Sequence, residues 1–190
     1  MKINIAIFAS GGGSNAEEII QHFESSEKGT IALIVTNNEN AFVIERAKNH
    51  GIPCYIHSKE DAENGTLEQK LTEFKIGFIV LAGYLKKIHP SLIKAFPKKI
   101  VNIHPALLPK FGGKGMYGMN VHRAVVEAKE RKSGITIHYV NANYDEGNVI
   151  EQHQCLISLS ASPEYVQERV LELEHKYFAP CIERLVANIR

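Results

Sequence analysis

The chain has 190 residues, 44% hydrophobic and 23% charged, which fits one globular domain with a sizeable core. With 22 Lys+Arg against 21 Asp+Glu the net charge is +1, and there is no tryptophan, so no basic-aromatic surface speaks for nucleic acid or an anionic membrane. The three cysteines, Cys54, Cys155 and Cys181, are widely spaced without a CxxC pair, which argues against a disulfide scaffold and suits a cytoplasmic protein. In chain order, Ile3 to Ala9 is a compact apolar run expected to be a strand buried on both faces and not a signal peptide. Helical spacing follows at Ala16 to Glu24, a strand at Ile31 to Thr36, a helix at Ala41 to Asn49 closed by Gly51, and a short strand at Ile52 to His57. A helix at Leu67 to Phe74, a strand at Phe78 to Ala82, a helix at Pro90 to Phe96 and a strand at Ile100 to Ile103 complete the first half. Val121 to Lys129 reads as a helix, Gly134 to Val140 and Asn148 to Leu159 as two strands joined by a polar loop, and Pro163 to Ile189 as one long helix or two broken at Pro180. No apolar run approaches membrane-spanning length. The expectation is an α/β, Rossmann-like, mostly parallel sheet with helices on both faces and an antiparallel C-terminal strand pair, in a single domain over 1–190.

Gly11-Gly12-Gly13-Ser14-Asn15 follows the first strand and opens the first helix. Free backbone N–H groups and the helix dipole make such a turn an anion site. A bare turn needs one glycine and this one has three. A dinucleotide site also wants a carboxylate at the end of the second strand, and Ile34-Val35-Thr36-Asn37-Asn38 has none there. A phosphate monoester is therefore preferred over NAD, with Ser14 and Asn15 adding side-chain hydrogen bonds.

The segment Asn102-Ile103-His104-Pro105-Ala106-Leu107-Leu108-Pro109 ends a buried strand with polar residues, where ligands bind in open α/β sheets. Asn102 and His104 are two apart and so share a face of the strand. An amide donor beside an imidazole suits a tetrahedral oxyanion, with Asn102 donating and His104 donating or shuttling a proton. The Leu108–Pro109 bond stays open between cis and trans. Asn141 to Gly147 places Asp145 at the far end of a loop, and a carboxylate near His104 would hold its tautomer and raise its pKa, although such a stretch alone reads as an ordinary acidic turn. His138 is the best second catalytic candidate, although a structural histidine supporting the Asp145 loop is the preferred reading. His153 and Cys155 alternate on one strand, but two ligands are not a metal site, and none is expected.

The Asn-Ile-His-Pro-x-Leu-Leu-Pro run at 102–109, Ser-Gly-Ile-Thr-Ile-His-Tyr-Val at 133–140 and Tyr-Asp-Glu-Gly at 144–147, with the opening glycine loop, resemble the folate-dependent formyltransferases, purine branch, over essentially the whole chain. The resemblance implies the formyltransferase fold and transfer of the formyl group of 10-formyltetrahydrofolate to the amine of glycinamide ribonucleotide, the third step of de novo purine synthesis. It implies that Asn102 and His104 stabilise the tetrahedral intermediate while Asp145 tunes His104. Gly12, Gly13, Ser14 and Asn15 match its phosphate site, Pro105 and Glu174 its substrate contacts, and Leu85, Lys86, Lys87, Ile88, Asn102, Asn141, Ala142, Asn143, Tyr144 and Asp145 its folate cleft. On this likeness 1–100 is the phosphate-binding half and 101–190 the catalytic, folate-binding half of a cytoplasmic enzyme, monomeric or homodimeric.

Three departures stand out. Ser58 to Gly65 offers only Lys59 for a folate tail, the stretch Lys110 to Gly118 is longer and richer in glycine than usual, and Glu146 replaces a common glycine. His122 in the following helix reads as a solvated or sugar-side histidine. Two rivals remain: a formyltetrahydrofolate hydrolase, whose kind carries a further domain before its first strand whereas Ile3 begins it here, and a non-catalytic nucleotide-binding module.

Overall fold

A computed structural model of the chain describes residues 2–189. It divides into two compact units, one running to Ile100 and resuming at Ala179, the other comprising Val101–Phe178.

In the first unit β1 (Ile3–Phe8), β2 (Gly29–Thr36), β3 (Cys54–Ile56) and β4 (Ile76–Leu81) alternate with α1 (Ser14–Glu24), α2 (Val43–Asn49), α3 (Lys59–Glu63) and α4 (Thr66–Glu73), with α5 (Pro90–Ala95) after β4. The strand order is β3-β2-β1-β4, and β1 runs parallel to β2 and to β4. Ile5, Ala6, Ile7 and Phe8 are 0% exposed, as a central parallel strand covered on both faces requires. Ile19, Ile20 and Phe23 form the buried stripe of α1 at the spacing the sequence predicts. The helix α3 is not among the sequence expectations. A capping box makes it: the Ser58 hydroxyl accepts from the Asp61 N–H, and the Asp61 carboxylate accepts from the Ser58 N–H.

The second unit holds an antiparallel set, β5-β6-β7, from β5 (Ile100–His104, whose first residue closes the first unit), β6 (Lys132–Tyr139) and β7 (Val149–Leu156). α6 (Met119–Glu127) precedes β6, and α7 (Pro163–Ala187) follows β7. The β7 strand stops three residues before the expected Leu159 because Ser158 turns the chain, its hydroxyl accepting from the Ser160 N–H. α7 is one helix with Pro180 inside it. Phe178, Ala179, Cys181 and Ile182 around that proline are all 3% exposed or less, and their burial outweighs one lost backbone bond. A parallel α/β half and an antiparallel C-terminal strand pair are thus both present. Among the described residues no helix is long and apolar enough to cross a membrane.

Candidate active site

The antiparallel register places Asn102 opposite His138 and His104 opposite Thr136. His104 and His138 are 3% and 2% exposed, and Asn102 is half-buried. His104 Nε2 lies 2.8 Å from the Phe111 carbonyl oxygen. A carbonyl only accepts, so Nε2 carries a hydrogen and Nδ1 is the nitrogen that gains or loses a proton. Facing Nδ1 at 3.5 Å is Oδ2 of Asp145. The same oxygen accepts from the Gly113 N–H at 2.9 Å, while Oδ1 stands 3.6 Å from His138 Nε2. His138 Nδ1 donates to the Tyr139 carbonyl at 2.9 Å, so in the neutral ring Nε2 accepts from the Asn102 amide, 3.1 Å away. Two imidazoles, one amide and one carboxylate therefore form a connected cluster, with each ring held by a main-chain carbonyl.

Burial raises the Asp145 carboxyl, but the pull of His138 and His104 in their protonated forms and the Gly113 N–H outweigh it and hold the group below the usual carboxylate range. The expected upward pull of Asp145 on His104 is real, but it is not the net result. Burial dominates and lowers His104 below the ordinary imidazole value, against the opposing pull of Asp145 and the Phe111 carbonyl. Asp145 itself sits at φ 56, in the left-handed region that aspartate and asparagine tolerate better than most side chains. Gly147 follows two residues on, and a Cβ there would fall on the Tyr139 carbonyl oxygen, which only glycine avoids.

Two residues matter here in ways the sequence reading missed. Thr136, 0% exposed, fastens the turn after His104: its hydroxyl donates to the Ala106 carbonyl at 2.7 Å and accepts from the Leu108 N–H at 3.0 Å. Its alternation with His138 on a strand was the available signal. The Leu108–Pro109 bond in this turn is cis. His122, expected either solvated or on the sugar side, is 3% exposed and buried with Val121 and Val125 on α6, so it is not solvated. Among the described residues its Nδ1 has no hydrogen-bond partner, and burial, then the charge of His104, pushes its pKa down to about 4. Pro105 is half-buried beside His104. Glu174 is half-buried on α7 rather than on a fully solvated face.

In the loop that carries Asp145, Asn141, Ala142, Asn143 and Tyr144 are exposed. The Asn141 side chain accepts from the Asn143 N–H at 2.9 Å, and the unusual Glu146 accepts from the Asn143 amide at 2.7 Å. In the first unit Leu85 is 49% exposed and Ile88 only 6%, so an apolar wall there rests on Leu85. The Leu85 N–H donates to the Ser10 hydroxyl at 2.9 Å, and that backbone group is therefore committed. Lys86 and Lys87 are exposed.

The glycine loop, also in the first unit, has its three carbonyls turned inward. Gly11 O accepts from the Val43 N–H at 3.1 Å, Gly12 O from Arg46 Nε at 2.8 Å, and Gly13 O from the Glu17 N–H at 2.9 Å. Across a trans peptide the C=O of one residue and the N–H of the next point in opposite directions. The N–H groups of Gly12, Gly13 and Ser14 consequently point away from these partners, as an anion nest at a helix N-terminus requires. A Cβ at Gly11 or Gly12 would meet nothing within 4 Å, whereas Gly13, at φ 68, lies 2.7 Å from the Val43 side chain by the same construction. Packing thus accounts for the glycine at 13 but not for those at 11 and 12. Ser14 opens α1, with Asn15 next, both half-buried.

A family model described as formyl transferase matches residues 3–182. The chain is 42% identical over 193 residues to a chloroplastic phosphoribosylglycinamide formyltransferase of Arabidopsis thaliana, covering 95% of this chain and 66% of that protein, so it spans just under two thirds of the plant relative. It is 36% identical over 187 residues to the phosphoribosylglycinamide formyltransferase of Bacillus subtilis, covering 95% of this chain and 93% of that one. Among solved structures, phosphoribosylglycinamide formyltransferase from Bacillus halodurans superposes with a TM-score of 0.88 at 34% identity, over 97% of this chain and 96% of that chain.

Proposed function

The chain belongs to the formyl transferase family, and from that premise we propose that it transfers the formyl group of 10-formyltetrahydrofolate to the amine of glycinamide ribonucleotide in purine synthesis. One observation supports this reading most: the cluster of Asn102, His104, His138 and Asp145, in which a proton-exchanging nitrogen of a buried imidazole faces a carboxylate.

Formyl transfer forms a bond from the amine nitrogen to the formyl carbon, breaks the bond from that carbon to the folate nitrogen, and moves one proton from the amine to the departing nitrogen. Negative charge gathers on the formyl oxygen in between. The Asn102 amide, oriented by His138, donates to that oxygen, which by itself is worth on the order of 10²–10³ in rate. His104, kept neutral by burial, takes the proton at Nδ1, and Asp145 stabilises the imidazolium that results. Acid–base help of this kind contributes on the order of 10²–10⁴. The exposed loop 141–144 and Leu85 to Ile88 are assigned to the folate, the loop through its backbone and Leu85 through its apolar side chain. Glu174 is assigned to the substrate amine and Pro105 to the wall beside it. In the 1–100 half, Gly12, Gly13, Ser14 and Asn15 are assigned to the phosphate, and the 101–190 half carries the chemistry. The reaction needs no metal, and the three free thiols fit a reducing, cytoplasmic setting.

Purified protein is mixed with 10-formyltetrahydrofolate, with and without glycinamide ribonucleotide. Turnover that depends on the ribonucleotide supports the transferase. Equal turnover in water alone points instead to a hydrolase, and no turnover in either mixture to a binding module.

A further inference from the structure

We infer that Arg46 is a positioning residue for the phosphate of the substrate, acting through the Gly12 carbonyl and the Glu17 carboxylate. The inference rests on assigning the phosphate to the glycine loop.

Arg46 sits on α2 and spans two groups at once. Its Nε donates to Gly12 O at 2.8 Å and its Nη1 to Glu17 Oε2 at 2.9 Å. Only a planar fork makes both bonds from one side chain. The first bond has a geometric consequence. Holding the Gly12 carbonyl inward keeps the Gly13 N–H turned outward, because the two groups share one rigid peptide plane. Without it, the Gly12–Gly13 peptide is free to rotate, and a glycine pair offers little steric resistance to that rotation.

The second bond has an electrostatic consequence. Glu17 lies in the first turn of α1, the same helix end to which the phosphate is assigned. A carboxylate there favours the helix but repels a bound phosphate. Glu17 is answered on both oxygens, by Arg46 on Oε2 and by His50 Nε2 on Oε1 at 2.7 Å. The side chains of Arg46, Glu17 and His50 are only 26%, 20% and 21% exposed, so solvent screens this arrangement incompletely. Glu24 also reaches His50, at Nδ1, 3.2 Å away. Arg46 thus does two things for an anion it need not touch: it aims a backbone donor and it cancels an adjacent negative charge.

The test is steady-state kinetics of Arg46→Gln on the full chain. KM for glycinamide ribonucleotide is expected to rise on the order of tenfold or more, with kcat and KM for 10-formyltetrahydrofolate held within about twofold. Adding Glu17→Gln to that variant should recover roughly threefold of the lost affinity, a rescue that a merely structural arginine would not show. Should Arg46→Gln not fold, Arg46→Lys, which keeps the charge but not the fork, carries the test with an expected rise of roughly threefold. An unchanged KM for the ribonucleotide, or a parallel fall in kcat and folate affinity, overturns the role of Arg46. The underlying assignment is checked separately with wild-type protein and the dephosphorylated substrate, glycinamide riboside. If the two substrates are used equally well, the phosphate site itself is wrong, whatever the variants do.

Discussion

Oδ2 of Asp145 stands 3.5 Å from Nδ1 of His104, just outside ordinary hydrogen-bond length and close enough for its charge to be felt. The carboxylate is anchored by the Gly113 N–H and the imidazole by the Phe111 carbonyl, so neither reaches its position through the other. Removing one leaves the other in place, which makes the cluster suitable for substitution.

His104→Ala and Asn102→Ala are each expected to lower turnover at least about a hundredfold. Thermal unfolding should show that the protein still folds. Near-normal kcat in either variant removes these residues from the mechanism.

Asp145 offers a paired comparison. Asp145→Asn keeps the left-handed backbone comfortable and deletes the charge, whereas Asp145→Ala also adds roughly 1 kcal/mol of backbone strain. Because Asp145 pulls the His104 pKa upward against burial, its neutral replacement should move the His104 titration, followed by NMR, to lower pH. Turnover should drop by about a hundredfold in both variants, with only the alanine variant losing stability as well. A titration that moves upward contradicts the coupling.

His122 should make stability acid-sensitive. Its folded pKa of about 4 lies below the unfolded value of 6.5, so the unfolded chain binds the proton first. The stability is complete above pH 6.5 and is lost as pH falls from 6.5 towards 4, by about 3 kcal/mol in all. His122→Leu should flatten the denaturation midpoint across that window, with His104 leaving a residual slope in the same direction. An unchanged slope excludes His122 as the titrating group.

Two glycine substitutions should behave oppositely. Gly147→Ala drives a methyl into the Tyr139 carbonyl that orients His138, and should cost more than about 2 kcal/mol of stability together with activity. Gly12→Ala meets nothing within 4 Å, so stability should stay within about 0.5 kcal/mol. Its effect should fall on KM for the phosphorylated substrate. Equal stability losses in the two variants would contradict this contrast.

The legible parts of the sequence were those with strong local signals. The buried runs of β1 and β4, the glycine turn and the period-two pairing of Asn102 with His104 were all visible, because burial on two faces and strand alternation leave regular patterns. α3 escaped because it has no buried residue and only five positions, although Ser58 and Asp61 have capping-box spacing. The burial of His122 excludes its solvated alternative, and the sequence signal for that is its place beside Val121 and Val125 on the same apolar helix face. The approach of Asp145 to His104 leaves no local pattern and is implied only by the family resemblance, since it depends on a left-handed residue at the end of an irregular loop. The binding of Arg46 to Gly12, 34 residues away, likewise leaves no local trace.

Surface loops ordinarily accept insertions and deletions, since little depends on their length. The segment after Pro109 does not have that freedom, because Phe111 fixes the proton on one nitrogen of His104 and Gly113 anchors Asp145. Adding or removing a single residue between 109 and 113 would change which main-chain group meets the imidazole, and with it the tautomer. Chain length at this point is therefore a chemical variable, and tolerance to drift in this stretch should begin only beyond Gly113.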